Sequence, residues 1–351
     1  MSPMETHSRP FSAADVPGVI ELFADAFGRR ISPAHYEWKL RTRESPVDNV
    51  TIAVNRQSRP VFHLGGVPCR CRLGGLERWA MIAVDGMTAL AHRRRGLLTQ
   101  HTTELFGRWR EAGVAVVLGL PNEQWGSRAE ALGWRPLFPL SWLVLPLAPE
   151  RVLARRLKVP LAGRLTFLGK LWNRQWLSQD RDRSTTVEEL GSAGAELDAL
   201  WLEAGATIPH SIVRDRAWVA WRYLESPEVD YKVLVARRAD RLRGYAAYRV
   251  HDGGAAKSAT IAEVFTSPGD GATFGALVRQ TLSRLHAQGV EVVRTLAVPG
   301  SAVYDQFRRQ RFLGSRHSFS VEHVALDPAL DRLNLQDPSA WYLTGGDFDV
   351  V

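Results

Sequence analysis

A strand, a helix and a second strand follow one another closely between residues 79 and 120. Trp79–Met87 has strand character, Leu97–Glu111 places apolar side chains at helical spacing, and Val114–Leu120 is a Val- and Leu-rich run typical of a buried strand. Gly113 ends the helix before the second strand begins. Strands that alternate with helices of this length are typical of α/β domains, so the segment predicts a central mixed β-sheet flanked by helices.

The same order of elements returns in the second half of the chain. A predicted helix at Phe274–Ala287 lies between strand-like runs at Thr260–Phe265 and Val290–Val298, and Ser318–Leu326 predicts a last strand. The two halves share this order without visible sequence identity. We therefore expect an α/β (α+β) protein made of two tandem domains of one architecture.

The length of the chain supports this division. Single hydrophobic cores usually stop growing at about 250–300 residues, and the chain has 351 residues. The predicted limits are residues 1–148 for an N-terminal domain, 149–186 for a connector and 187–351 for a C-terminal domain.

The connector is rich in Arg, Lys, Leu and Trp. We interpret it as helical and packed across both domains, although a basic amphipathic stretch that bears Trp can instead touch a membrane surface. No run of about 18 uncharged apolar residues occurs in the chain, and residues 1–10 lack the apolar core of a signal peptide. We therefore expect no transmembrane segment and a cytoplasmic location.

Charge and cysteine content restrict the kind of ligand. The formal net charge is +8 and comes mostly from arginine, which favours a phosphate-bearing or otherwise anionic ligand. The basic residues are spread along the chain without a nucleic-acid-binding motif, so no nucleic acid partner is expected. Cys69 and Cys71 are the only cysteines, and no second Cys or His pair completes a zinc site, so neither a disulfide framework nor a metal is expected.

The most informative residues are His92–Leu98, which read HRRRGLL between a predicted strand and a predicted helix. Backbone N–H groups at a helix N-terminus have no intrahelical partner and, with the helix dipole, they bind phosphate well. Gly96 lets the main chain approach a pyrophosphate without a Cβ, and the three arginines add positive charge. Taken alone, the segment is equally compatible with a solvated basic corner.

The surroundings of this turn resemble the acetyl-CoA site of GNAT acetyltransferases. Asp85–Thr88 precede the turn, and Leu120–Glu123 and Leu132–Trp134 follow the next strand. In that superfamily the turn reads R/Q-x-x-G-x-G/A, which Arg93 and Gly96 match. Such a turn combined with a second GNAT-like domain is similar to the enhanced-intracellular-survival acetyltransferases and related tandem-GNAT proteins of bacteria. The resemblance covers about residues 9–147 by motif and the remainder by architecture alone.

The resemblance implies acetyl-CoA, or another acyl-CoA, as co-substrate. Backbone groups of Met87, Thr88 and Ala89 would pair with the pantetheine arm as an added strand does, and Asn122 would approach the pantetheine or the reacting carbonyl. The pyrophosphate would lie on the turn formed by Arg93, Arg94, Arg95, Gly96, Leu97 and Leu98.

Two positions depart from the family pattern. Leu98 stands where the family has its terminal Gly or Ala, so the tightest part of the turn is expected to be looser or shifted. Ala129 stands where many members have the tyrosine that protonates the leaving thiolate, so the acid is expected to be another residue or water.

Direct attack of an amine on a thioester needs a group or a water chain that removes a proton. Asp85 is the first candidate, because it lies among uncharged neighbours on the strand that leads into the turn; alternatively, its carboxylate anchors a loop. Asp347 and Asp349, in a glycine-led acidic tail, are the second candidates, unless the tail serves solubility only. His63 and His92 lie near the same strands and would relay protons, or are structural, as single buried histidines usually are.

The corresponding turn of the second half is Ser267–Ala272. It has no arginine and carries Asp270 where a pyrophosphate would lie, so Coulomb repulsion disfavours phosphate there. We therefore predict one CoA site per chain, in the N-terminal domain, with the second domain shaping or covering the acceptor pocket.

These features favour an acyl-CoA-dependent N-acyltransferase that moves an acetyl or short acyl group to a primary amine of a small molecule. Two alternatives stay open. A non-catalytic GNAT-fold binding or scaffold protein agrees with the absence of a tyrosine at Ala129. A tandem-GNAT peptidyltransferase that uses aminoacyl-tRNA would need a basic groove across both domains and no intact CoA turn.

Overall fold

The computed structural model describes residues 6–121, 125, 127–157, 184–253 and 256–348. The chain divides into two units. Unit 1 comprises Met1–Phe138 and Ser320–Gln336, and unit 2 comprises Pro139–Phe319 and Asp337–Val351. Each unit therefore contains a segment from the opposite half of the sequence.

Unit 1 is a mixed β-sheet with helices. Its strands are β1 Thr6–Arg9, β2 Val50–Asn55, β3 Pro60–Leu73, β4 Leu76–Thr88, β5 Val114–Gly119, the first residues of β6 Arg135–Pro146 and the last residues of β13 Leu313–Ala325. Its helices are α1 Val16–Phe27, α2 Pro33–Leu40, α3 Leu97–Glu111 and α4 Ser127–Ala131. The strand order is β1-β2-β3-β4-β5-β13, and all neighbours are antiparallel except the parallel pair β4 and β5.

Local chemistry sets the ends of the first helices. The Ser32 hydroxyl accepts a hydrogen bond from the His35 amide at 3.1 Å and so caps α2. Gly28 ends α1 in the left-handed conformation, with φ = 70°. The core of unit 1 lies between the sheet and α3, where apolar side chains of both are fully buried, among them Phe62, Met81, Leu105, Trp109 and Val117.

Unit 2 repeats this architecture. Its strands are the remainder of β6, β7 Thr185–Glu189, β8 His210–Ile212, β9 Lys232–Arg238, β10 Arg241–His251, β11 Ser258–Thr266, β12 Val292–Ala297, the first residues of β13 and β14 Trp341–Tyr342. Its helices are α5 Pro149–Leu157, α6 Glu196–Gly205, α7 Arg216–Val219, which continues as a π-helix over Ala220–Leu224, α8 Gly271–Ala287 and α9 Ala302–Arg309. The order β6-β12-β11-β10-β9-β7 is antiparallel except for the parallel pair β11 and β12.

The mixed α/β class predicted from the sequence is confirmed. Most of the predicted connector, residues 158–183, lies outside the described residues, while α5 and β7 occupy its two ends. Among the helices that the structure describes, none is long and apolar enough to cross a membrane.

A buried ionic cluster lies inside unit 2. The Arg214 guanidinium donates to Glu263 at 2.8 Å and to both carboxylate oxygens of Asp347 at 2.6 and 2.7 Å, and all three side chains have no exposed area. The hydroxyls of Tyr223 and Tyr245 donate to Glu263 at 2.9 and 2.8 Å. One guanidinium serves two carboxylates, and burial, with Glu263 nearby, raises the pKa of Asp347 to about 6. Removal of Arg214 would leave both carboxylates without a cation in the interior.

Arg214→Met is expected to lower the free energy of unfolding of unit 2 by about 3–5 kcal/mol, because Glu263 and Asp347 would lose their shared cation. Arg241→Met is the matched control: Arg241 pairs with Glu203 at 3.2 Å on the surface, and loss of an exposed pair costs about 1 kcal/mol or less. Calorimetry and denaturant unfolding measure both. Equal losses in the two variants would contradict the role given to the buried cluster.

Helix α3 begins after Gly96, which has φ = 80° and open space around its missing Cβ. Gly96→Ala is expected to lower the free energy of unfolding by about 1 kcal/mol, because a Cβ is strained in the left-handed region. Gly107→Ala, in the middle of the same helix and also with open space, is expected to raise it by about 0.5–1 kcal/mol. Thermal unfolding of the two variants checks this, and a stabilising Gly96→Ala would exclude the left-handed turn.

Candidate functional site

Strands β4 and β5 diverge at one end of the sheet of unit 1. Their parallel pairing runs only from Trp79 opposite Val114 to Ile82 opposite Leu118. β5 ends at Gly119, whereas β4 continues to Thr88. Within the described part of the chain, the edge of β4 beyond Ile82 therefore has no strand beside it, and its backbone groups are available to a ligand.

A β-bulge lies at the start of this open edge. Gly65 of β3 faces Val84 and His63 faces Met87, so one residue of β3 opposes two residues of β4, Asp85 and Gly86. Asp85 is left-handed, with φ = 53°. A bulge of this kind bends a strand and increases its twist, so it turns the end of β4 away from the line of the sheet.

The basic turn follows β4 directly. Arg93 Nε donates to the Thr88 carbonyl at 3.2 Å and ties the turn to the end of the strand. Arg94 has φ = 62° and Gly96 has φ = 80°, so left-handed residues lie on both sides of Arg95. The amides of residues 94–99 donate to no acceptor among the described residues, and the first helical hydrogen bond runs from Gln100 N to Gly96 O at 3.0 Å. Consecutive unpaired amides at the positive end of a helix dipole form an anion-binding arrangement.

These amides border a cleft of about 450 Å³. The cleft is lined by Ala26, Phe27, Gly86, Met87, Thr88, His92, Arg93, Arg94, Arg95, Gly96, Leu97, Leu98, Thr99 and Trp125. Trp125 packs over the bulge, since a Cβ on Gly86 would lie 3.0 Å from its ring. The sequence analysis did not single out Trp125, because no local pattern marks it as a lining residue.

His92 is a buried member of the lining. Burial, and after it the nearby Arg95, lowers the pKa of His92, so its ring is neutral at pH 7. Neither ring nitrogen has a hydrogen-bond partner among the residues that the structure describes.

The structure brings most of the predicted CoA-binding residues together. Met87, Thr88 and the turn from Arg93 to Leu98 all line the cleft. Ala89 lies next to it and its amide donates to Val61 O at 2.8 Å. Asn122 lies outside the described residues. The sequence predicted a looser or shifted turn at Leu98. The helix nevertheless begins there, because Leu97 and Leu98 are its first residues after the Gly96 cap.

The predicted catalytic carboxylates are held in different ways. Asp85 lies at the bulge, with its side chain 8% exposed and Lys39 Nζ at 3.0 Å, which favours the anchoring role over that of a free base. Asp347 is buried in unit 2 against Arg214 rather than exposed in a tail. Asp349 lies outside the described residues. Ala129 is buried in α4, where its carbonyl accepts from the Trp134 amide at 3.0 Å, so no side-chain hydroxyl is present at that position.

The corresponding turn of unit 2 carries its own anion. Asp270 caps α8: its carboxylate accepts from the Thr273 amide at 3.0 Å and from the Thr273 hydroxyl at 2.8 Å. Arg238 and Arg243 each lie 3.9 Å from the same carboxylate. An internal carboxylate therefore occupies the helix N-terminus of unit 2, whereas no described residue provides an acceptor at the start of α3 in unit 1.

The open edge of β11 is also covered within unit 2. Its parallel pairing with β12 ends at Ile261 opposite Thr295. Beyond that point the Tyr342 hydroxyl donates to Val264 O at 2.7 Å. Gly346 packs so closely that a Cβ there would lie 3.3 Å from Ala262 O. The segment with Tyr342 and Gly346 thus fills in unit 2 the kind of space that no described strand fills in unit 1.

Comparison with known proteins gives a match at the level of domain family and fold. A model of the acetyltransferase (GNAT) domain matches residues 7–137. No curated protein sequence matches the chain.

Three solved structures illustrate the fold. A GCN5-related N-acetyltransferase from Kribbella flavida has a TM-score of 0.63 and 15% identity, and the match covers 93% of this chain and 72% of that one. A probable N-acyltransferase from Enterococcus faecalis V583 has a TM-score of 0.67 and 12% identity, with coverages of 92% and 72%. A GCN5-related N-acetyltransferase from Anabaena variabilis ATCC 29413 has a TM-score of 0.67 and 11% identity, with coverages of 93% and 74%. Residues 7–137 therefore match an acetyltransferase (GNAT) domain, and the chain shares its fold with GCN5-related N-acetyltransferases.

Proposed function

We propose that unit 1 binds an acyl-CoA and transfers its acetyl or short acyl group to a primary amine of a small molecule. One observation carries the proposal: the amides of residues 94–99 have no acceptor among the described residues and border a cleft at the start of α3. A diphosphate supplies the acceptor oxygens that these amides lack, and its charge is favoured by the helix dipole. The side chains of Arg93, Arg94 and Arg95 add three cations around it.

The open edge of β4 suits the pantetheine arm. Pantetheine is an extended chain with two amide groups, which pair with a strand edge as an added strand does. Met87 and Thr88 belong to that edge and line the cleft, and the turn that holds the diphosphate follows within a few residues. The thioester then lies towards the bulge at Asp85 and Gly86.

The reaction is attack of the amine nitrogen on the thioester carbonyl carbon. A C–N bond forms, the C–S bond breaks, and a proton moves from the amine to a base or to water. A thiol has a pKa of about 8.5, so the departing thiolate takes its proton from water when no acid is provided. This agrees with alanine at position 129. Asp85 as base and Asn122, Asp347 and Asp349 as further contributors stay predictions.

The size of the cleft suits the small-molecule ligand assigned to it, and the small-molecule acceptor stays a prediction. Its volume of about 450 Å³ falls within the range of about 300–1,000 Å³ that small-molecule sites occupy. Ala26 and Phe27, at the end of α1, line the cleft together with β4 and the basic turn. A non-catalytic scaffold protein stays the alternative, because Ala129 cannot supply the acid that a tyrosine at that position would provide.

Acetyl-CoA is expected to raise the melting temperature of the wild-type protein, since a ligand at 100 times its Kd stabilises the native state by about 2.7 kcal/mol. Gly96→Asp should abolish this rise, because a carboxylate would lie among the amides that bind the diphosphate. The matched control is Gly269→Asp in the corresponding turn of unit 2, where the glycine also has a positive φ and open space around its Cβ position. The control should keep the full rise.

The same measurement separates the alternatives. If acetyl-CoA raises the melting temperature of Gly96→Asp as much as that of the wild type, the diphosphate does not bind at this turn. Acetyl-CoA binding without release of CoA across a panel of primary amines would favour the scaffold protein. A melting temperature that rises with aminoacyl-tRNA and not with CoA would favour the peptidyltransferase.

A further inference from the structure

The bulge in β4 leaves one backbone carbonyl outside the strand ladder. Because two residues of β4 face one residue of β3 at this point, the Asp85 peptide has no regular strand partner. Its carbonyl oxygen instead lies 2.9 Å from His63 Nδ1. A side chain of the neighbouring strand thus replaces the missing backbone donor at the residue that carries the left-handed φ.

The tautomer of His63 follows from its two partners. A carbonyl oxygen only accepts, so Nδ1 carries the proton and donates it to Asp85 O. Nε2 is then the acceptor for the Tyr36 hydroxyl, 3.1 Å away. Both rings are fully buried, and burial lowers the pKa of His63, so the ring stays neutral at pH 7. The order of donation is therefore fixed: Tyr36 to His63 to Asp85 O.

A second contact holds the side chain of the same residue. Lys39 Nζ lies 3.1 Å from Oδ1 and 3.0 Å from Oδ2 of Asp85, and the lysine side chain is 3% exposed. Tyr36 and Lys39 are three positions apart on α2 and therefore project from the same face of the helix. Through these two residues α2 holds both the carbonyl and the carboxylate of Asp85.

We propose that Tyr36, His63 and Lys39 are positioning residues that fix the bulged Asp85 peptide and thereby set the edge of β4 that receives the pantetheine arm. The proposal rests on the acyl-CoA site proposed above and adds the residues that shape it. None of the three lines the cleft. Their effect on a ligand passes through the backbone of Asp85 and Gly86 and is confined to the pantetheine end of the site.

Because the effect is limited to the pantetheine end of the site, two ligands that differ only in that arm test the proposal. CoA and its nucleotide half, 3′-phospho-ADP, share the phosphates that bind the turn, but only CoA has the arm that would lie on β4. His63→Leu is expected to weaken CoA binding by about tenfold, the effect of one lost hydrogen bond to a buried carbonyl. Binding of 3′-phospho-ADP should be unchanged. Calorimetric titration of both ligands gives the ratio of the two Kd values.

Two further variants keep the test decisive if His63→Leu fails to fold. Tyr36→Phe removes only the hydroxyl that donates to His63, and should lower the selectivity for CoA over 3′-phospho-ADP to a smaller extent. His63→Asn places an amide donor near the position of Nδ1 and should restore part of the selectivity that leucine loses. Far-UV circular dichroism establishes that each variant is folded before titration.

Leu73→Ala is the control for general loss of stability. Leu73 is buried in the same unit at the end of β3 far from the bulge, where it faces Leu76. It should lower stability and leave the ratio of Kd values at its wild-type level. A folded His63→Leu or Tyr36→Phe with the wild-type ratio would overturn the positioning role. A wild-type protein that binds neither ligand would instead overturn the proposed acyl-CoA site.

Discussion

The proposed site depends on a set of main-chain amides for which no described residue provides an acceptor. At the start of α3, left-handed residues at Arg94 and Gly96 set the path of the turn, and the amides of residues 94–99 find no partner among the described residues. Residues 94–96 are exposed, so water can hydrate these amides in the free protein, and an anion at the helix N-terminus would take its place. The left-handed turn, its arginines and the open end of β4 all lie next to this one feature, on which the proposed diphosphate site rests.

The second unit shows what the same architecture does without that feature. Asp270 supplies a carboxylate to the start of α8, and Tyr342 and Gly346 cover the edge of β11. Both positions that an acyl-CoA would need are filled by groups of the chain itself. The buried charges of Arg214, Glu263 and Asp347 hold that segment from inside unit 2. One fold thus supports an open site in one unit and a self-filled site in the other.

Much of this arrangement could be predicted from the sequence where the signal is local. The limits of α3 match its apolar spacing and the glycine at each end, and Val114–Gly119 is a strand because a Val-rich run follows Gly113. The turn could be predicted because glycine and arginine at fixed spacing between a strand and a helix restrict the chemistry. Short polar strands such as β7 gave no such signal, since they are strands only through pairing with a neighbour. The bulge at Asp85 depends on the register between β3 and β4, and the burial of Asp347 depends on Arg214, more than a hundred residues away in the sequence. Neither leaves a local pattern.

Residue-resolved amide hydrogen exchange, with and without acetyl-CoA, tests the central claim most directly. The amides of residues 94–99 should exchange fast in the free protein, because no described residue accepts from them, and slow strongly when acetyl-CoA is bound. The amides at the start of α8, where Asp270 already provides a cap, should exchange at the same rate in both states. Protection that appears elsewhere while residues 94–99 stay unchanged would contradict the account.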